Sequence, residues 1–228
     1  MEKVLYLLKG AELRPRLLDD VAPRLLEAGA RHVQVNVVDD DVEAAAGSRM
    51  RSGSGPHPDA LVTAWVESAN GPLRAPFDAV LREVDEAFVA YLVTESRPLP
   101  GDVAEGRRPG YTQVSLLQRP ARLDEAAWLT HWHEHHTRVA IDTQSTTRYV
   151  QNSVVRALTP NAPPCTAIVE ETFPIEAMTD PAVFFDAVGD PERQKGNGDA
   201  LMTSVMAFLD FDLIDVVPTS EYGVGQPL

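Results

Sequence analysis

The stretch Ala127-Trp128-Leu129-Thr130-His131-Trp132-His133-Glu134-His135-His136-Thr137-Arg138-Val139-Ala140 holds two of the chain's three tryptophans and four of its six histidines. At about 100° per residue, a helix here gathers Trp128, Leu129, Trp132, His136 and Val139 on one apolar stripe and leaves His133, Thr137 and Arg138 mostly off it. His136 is therefore expected to point inward. Asp124 is placed to cap the helix, which the pattern carries to about Asp142. An inward imidazole can be a hydrogen-bonded core residue, a proton carrier or a ligand, because its pKa lies near neutrality.

Strands are expected on both sides of this helix, at Tyr111 to Leu117, Arg148 to Leu158 and Thr166 to Phe173. A second helix follows in two pieces, Pro174 to Asp186 and Gly198 to Ala207, around a loop rich in Gly, Asp and Lys. Phe208 to Val217 is expected to close this half as a strand. Before it, Ser96 to Gly110 has the Pro and Gly content of a linker.

The first half reads in the same order. Val4 to Leu8 is a strand, and Arg14 to Ala28 is an amphipathic helix ended by Gly29, with a kink or restart at Pro23. Arg31 to Val38 alternates as a strand, Ala60 to Glu67 is another, Phe77 to Glu86 is a helix and Phe88 to Thr94 a strand. Between them, residues 39 to 59 read as a long mobile loop. Its Asp39-Asp40-Asp41 run lacks the spaced ligands of a calcium loop.

Both halves thus read β-α-β-β-α-β, and short segments such as Val33 to Val38 and Val150 to Val155 echo one another, as internal duplication produces. The expected fold is α+β: two tandem ferredoxin-like repeats, residues 1–98 and 108–220. Apolar residues in both parities of Arg148 to Leu158 require a sheet covered on both faces. The two sheets are therefore expected to pack as an intrachain dimeric α+β barrel.

With 228 residues, a net charge of −14 and a pI near 4.8, nucleic acid and anionic membrane surfaces are poor partners. Cys165 is the only cysteine, so no intrachain disulfide can form, and a reducing, cytoplasmic setting is expected. The N-terminus has no basic leader, and no run reaches the length of a membrane span. P-loop, nucleophile-elbow and dinucleotide signatures are missing, so no nucleotide cofactor is indicated.

The second half resembles the EthD family of the dimeric α+β barrel superfamily. The family's aromatic-Trp pair and the His four residues later fall on His131-Trp132 and His136 to Ala140, with His131 departing from the usual aromatic. Its tyrosine and asparagine fall on Tyr149 and Asn152, its strand glutamate on Glu170, and its closing Phe-x-Asp on Phe208 and Asp210. In the first half, Leu25-Leu26-Glu27 sits where the inward His would be.

The resemblance implies a small-molecule enzyme acting on an apolar, aromatic or polyketide-like compound by acid-base or cofactor-independent oxygen chemistry. A cofactor-independent monooxygenase, an isomerase and a polyketide-tailoring enzyme all fit, and fold alone does not choose. The alternatives are a ligand-binding accessory protein for an oxygenase, and haem or metal binding through His131 to His136. A homodimer is compatible with any of them.

On this reading His136 is the catalytic base, kept neutral by an apolar pocket. Tyr149 and Asn152 polarise a carbonyl or phenol oxygen, while Trp132, Glu170 and Asp210 contact substrate. Glu170 and Asp210 stand in segments expected to be apolar strands, where pairing with Arg148 or Arg156 is the plainer account. For metal, His131 and His135 are one turn apart, but the His-Glu-x-x-His pattern fails at Thr137, and no metal site is assigned.

Overall fold

The computed structural model describes residues 1–102 and 106–225. The first half contributes strands β1 (Glu2–Leu8), β2 (His32–Val37), β3 (Ala60–Val66) and β4 (Val89–Leu99). After a two-residue β5 (Gly106–Arg107), the second half adds β6 (Tyr111–Leu117), β7 (Arg148–Ala157), β8 (Ala167–Phe173) and β9 (Ile214–Gly225).

The strand order β2-β3-β1-β4-β7-β8-β6-β9, with β2 pairing back onto β9, closes eight strands into an antiparallel barrel. The halves are therefore joined edge to edge by backbone hydrogen bonds, through β4 on β7 and β2 on β9. Closure gives each of the eight strands a partner on both sides.

Period-two alternation explains why the strands look apolar throughout. Val4, Tyr6 and Leu8 face the helices outside the barrel, while Leu5 and Leu7 face its interior with Tyr91, Val114, Leu116, Ile168 and Val217. Each half covers its outer face with helices. In the first half these are residues 13–27 and Gly71–Val84, and in the second the histidine helix, residues 125–143, and a closing helix, Pro191–Phe208.

Both leading helices carry a π turn, Leu17–Val21 and His131–His136. Both bury residues at the same intervals: Leu13, Leu17, Val21, Ala22 and Leu25 in one, Trp128, Trp132, His136, Thr137 and Ala140 in the other. The first-half position in phase with His136 is thus Val21, not Leu25 to Glu27.

Several sequence expectations are corrected. The closing strand begins at Ile214, and Phe208 ends the preceding helix, which runs unbroken through Gly196 and Gly198. Asp190 caps that helix, accepting a hydrogen bond from Arg193 N at 2.9 Å, and Pro191 opens it. Two interior glycines cost about 1 kcal/mol each and do not break it.

Residues 39–59 are also not a free loop. Asp40–Ser48 form a 3₁₀ helix whose Val42 and Ala45 pack with Tyr111 and Phe173, and Met50 bridges to Val216. The Asp215 carboxylate accepts from Ser52 N at 2.7 Å and His57 N at 3.0 Å. This strap ties the first half onto the second.

Within the expected linker, Ser96 to Leu99 continue β4 against β7 and Gly106–Arg107 pair with β9. Residues 103–105 lie outside the described residues. Gly110 (φ +86°) must be glycine, because a Cβ there would sit 2.0 Å from the Phe173 carbonyl oxygen.

Candidate active site

Asp124 caps the histidine helix, accepting from Ala127 N at 2.7 Å. Trp128 and Trp132 are fully buried against the sheet, with ring centroids 5.0 Å apart. At the π turn, Thr137 N–H reaches back to Trp132 O, and Thr137 Oγ1 donates to the same oxygen at 2.8 Å. The added residue turns both His136 and Thr137 inward, so Thr137 is buried although simple helical phase put it off the stripe.

Beneath this turn is a cavity of about 160 Å³. Its floor is the outer face of the sheet, with Gln113, Ser115, Tyr149 and Glu171. Trp132, His136 and Phe208 wall it from above, Met50 enters from the strap, and Phe211, 46 % exposed, stands at the mouth.

His136 is 9 % exposed, its Nδ1 lies 3.0 Å from Ser204 Oγ, and its ring packs 4.7 Å from that of Phe208. Nε2 has no hydrogen-bond partner among the described residues. Burial, with a smaller push from His131, lowers its pKa to about 4, so the imidazole is neutral at physiological pH.

Tyr149 is buried beside it, and Trp132 Nε1 donates to the Tyr149 hydroxyl at 3.4 Å. Burial first, and Glu171 second, raise the phenol above its ordinary range.

Glu171 is the residue that the sequence reading missed. It is the cross-strand neighbour of Tyr149 on β7 and of Gln113 on β6. It is 9 % exposed, Oε1 is buried without a hydrogen-bond partner, and no described residue donates to either oxygen. Burial alone pushes its pKa up to about 7.

Trp132, His136 and Tyr149 thus line one cavity, and three other residues singled out in the sequence do not join them. Glu170 occupies the opposite face of β8, inside the barrel. There its carboxylate meets Lys3 Nζ at 3.2 Å, Gln34 Nε2 at 2.6 Å, Arg148 Nη1 at 3.3 Å and Asn152 Nδ2 at 2.9 Å. Burial by itself would raise its pKa, but Lys3, Arg148 and the two amides outweigh that and hold it below the carboxylate range. Asn152 is held in the same cluster, donating also to Ile168 O at 3.0 Å.

Asp210 follows the closing helix instead of lying in a strand, and pairs at the surface with Arg122 Nη2 at 2.9 Å. Alternation explains the Glu170 result. Adjacent glutamates on a strand must face opposite ways, and periodicity does not say which way is out.

The other histidines are used differently. His131 Nε2 lies 3.0 Å from Ser204 O, while His133 and His135 are exposed. Among the described residues, no group of three His, Cys, Asp or Glu side chains is arranged to hold a metal ion. None of the described helices is long and apolar enough to cross a membrane.

Residues 120–212, which include the histidine helix, β7 and β8, match the family model of the EthD domain. Over that segment the chain is similar to the EthD domain. No curated protein matches the sequence. Among solved structures, the fold is similar to an anthrone oxidase-like protein, with a TM-score of 0.57 at 11% identity over 99% of this chain and 92% of that one. It is also similar to a "putative monooxygenase from Lactobacillus acidophilus NCFM", with a TM-score of 0.50 at 8% identity over 100% and 98%. At such identities the likeness is one of fold. It extends over both halves, whereas the EthD match lies in the second.

Proposed function

We propose that this EthD-domain protein is a small-molecule enzyme. It acts on an apolar, aromatic or polyketide-like compound by acid-base or cofactor-independent oxygen chemistry in the cavity beside His136. The observation that carries the reading is the largely apolar, open-mouthed cavity lined by a neutral, half-partnered imidazole. Such a group can exchange a proton with a ligand that enters the cavity. Tyr149, which receives the Trp132 N–H, keeps its own O–H to polarise a substrate oxygen. The names of the two fold relatives, an anthrone oxidase-like protein and a monooxygenase, support oxygen chemistry on aromatic substrates.

We also read the architecture as two ferredoxin-like units, residues 1–98 and 108–220, derived by duplication. The same order of elements in each half, and the matched burial intervals of the two π-turn helices, support it. In the first half, Leu17 and Val21 replace Trp132 and His136, and the equivalent space is filled by apolar core.

Oxygen uptake with anthrones and hydroxylated aromatics as probes tests the function. In anthrone oxidation one atom of O₂ becomes the second carbonyl oxygen as the CH₂ of C₁₄H₁₀O is converted to that of C₁₄H₈O₂, and the other atom leaves with the two hydrogens as one H₂O. His136→Gln should lower turnover by about 100-fold or more and move Tm by only a few degrees, roughly the effect of one hydrogen bond. An active His136→Gln enzyme would end the catalytic assignment.

A further inference from the structure

Glu171 stands unused in the reading above, and its surroundings specify a ligand. Its carboxyl lines the cavity without a donor from the protein. An unpaired buried carboxylate is costly, so the missing donor has to come from what binds. Resting on the reading that this cavity is the substrate site, we infer that Glu171 is its proton acceptor. The preferred ligand is an uncharged single-ring compound bearing an acidic O–H, a phenol or enol.

Three features narrow the class. Among the described residues no Lys or Arg lines the cavity, so a carboxylated or phosphorylated aromatic would meet the Glu171 charge with nothing to offset it. The volume of about 160 Å³ compares with the roughly 150 Å³ cavity that takes one benzene, so a single ring fills it and further rings must project past Phe211. Tyr149 and Gln113 flank Glu171 on the neighbouring strands, placing donors beside the oxygen that loses its proton.

In the transfer, the ligand O–H bond breaks, the proton passes to a Glu171 oxygen, and the electron pair remains on the ligand as phenolate or enolate. The negative charge moves off the carboxylate onto an oxygen that Tyr149 can meet with its own O–H. With a pKa near 7, Glu171 is part-ionised at neutral pH and can both take and return the proton.

The other titratable groups lining the cavity are His136 on the histidine helix and Tyr149 on β7. The lining residues of β6, the closing helix, β9 and the strap bring none. His136, with a pKa near 4, and Tyr149, raised above its ordinary range, keep their protonation states between pH 5.5 and 8.5. Behind the lining, His131 shares Ser204 with His136 and Tyr111 feels the Glu171 charge, so a ligand-linked titration in this range is assigned to Glu171 when Glu171→Gln abolishes it.

Phenol, toluene and benzoate titrations of the wild-type protein across that range, read by tryptophan fluorescence because Trp132 lines the cavity, test the inference. Phenol affinity should rise about ten-fold as the carboxyl ionises, benzoate affinity should fall, and toluene should gain nothing. In Glu171→Gln the phenol slope should vanish, and in Glu171→Leu the phenol-to-toluene ratio should drop about ten-fold or more. Toluene binding without a phenol slope in the wild type overturns the assignment of Glu171 and leaves the cavity as the site. A phenol slope that persists in Glu171→Gln overturns it equally. If none of the three compounds binds, the cavity reading falls as well.

Discussion

His136 and Glu171 share one cavity, and burial displaces their pKa values in opposite directions because it disfavours whichever form is charged. Glu171 rises from about 4.3 unfolded to about 7. Its contribution to stability is complete below the unfolded value and is lost as pH climbs through the folded one. His136 falls from about 6.5 unfolded to about 4. Its contribution is complete above the unfolded value and is lost as pH drops through the folded one. Across its titration each group changes the stability by about 3 kcal/mol, and between about pH 4.5 and 6.5 the two slopes oppose one another. Urea unfolding over that interval should therefore give a flatter stability profile for the wild type than for either variant. His136→Gln should become less stable as pH rises, and Glu171→Gln more stable. Parallel profiles in all three proteins would show that the two groups are not buried as described.

At the scale of single elements, the histidine helix was largely legible. Its Asp124 cap, the burial of Trp128, Trp132 and His136 and its end near residue 143 follow from local spacing. Asp124→Ala should cost about 1 kcal/mol and lower Tm by roughly 2–4 °C in calorimetry, since Ala127 N–H then loses its acceptor. An unchanged Tm would mean that the helix end is held by packing alone. Thr137 was not legible, because a π turn inserts one residue into the helical phase and no residue type announces it. The closing helix was misread for a related reason. Glycine lowers helix propensity, but a capped, docked helix tolerates it.

Across the whole molecule, the barrel interior couples the halves through charge as well as backbone. Lys3 on β1 pairs with Glu170 on β8 at 3.2 Å and with Glu95 on β4 at 3.1 Å. Gln34 on β2 reaches the same Glu170. Replacing Lys3 with Met leaves the buried Glu170 short of a cation, while Glu95 keeps Arg97, and should destabilise the protein by roughly 3–5 kcal/mol, measured by urea unfolding. A loss below about 1 kcal/mol would show that Arg148 and the amides suffice for Glu170.

Local chemistry fixed much of this protein before any contact was known. The alternation of Val33, Val35 and Val37, the two-faced apolar strands and the Trp-His stripe depend on neighbours within a few residues, and they dictated the strands, the helix and the inward imidazole. The tertiary structure alone decided that β4 would zip onto β7 and β2 onto β9, and that the strap would deliver Met50 to the cavity. It also decided that Glu171 faces that cavity while Glu170 is held among Lys3, Arg148 and Gln34. Strand pairing and facing are set by partners far away in the chain, and a strand's own residues are compatible with either face until those partners choose.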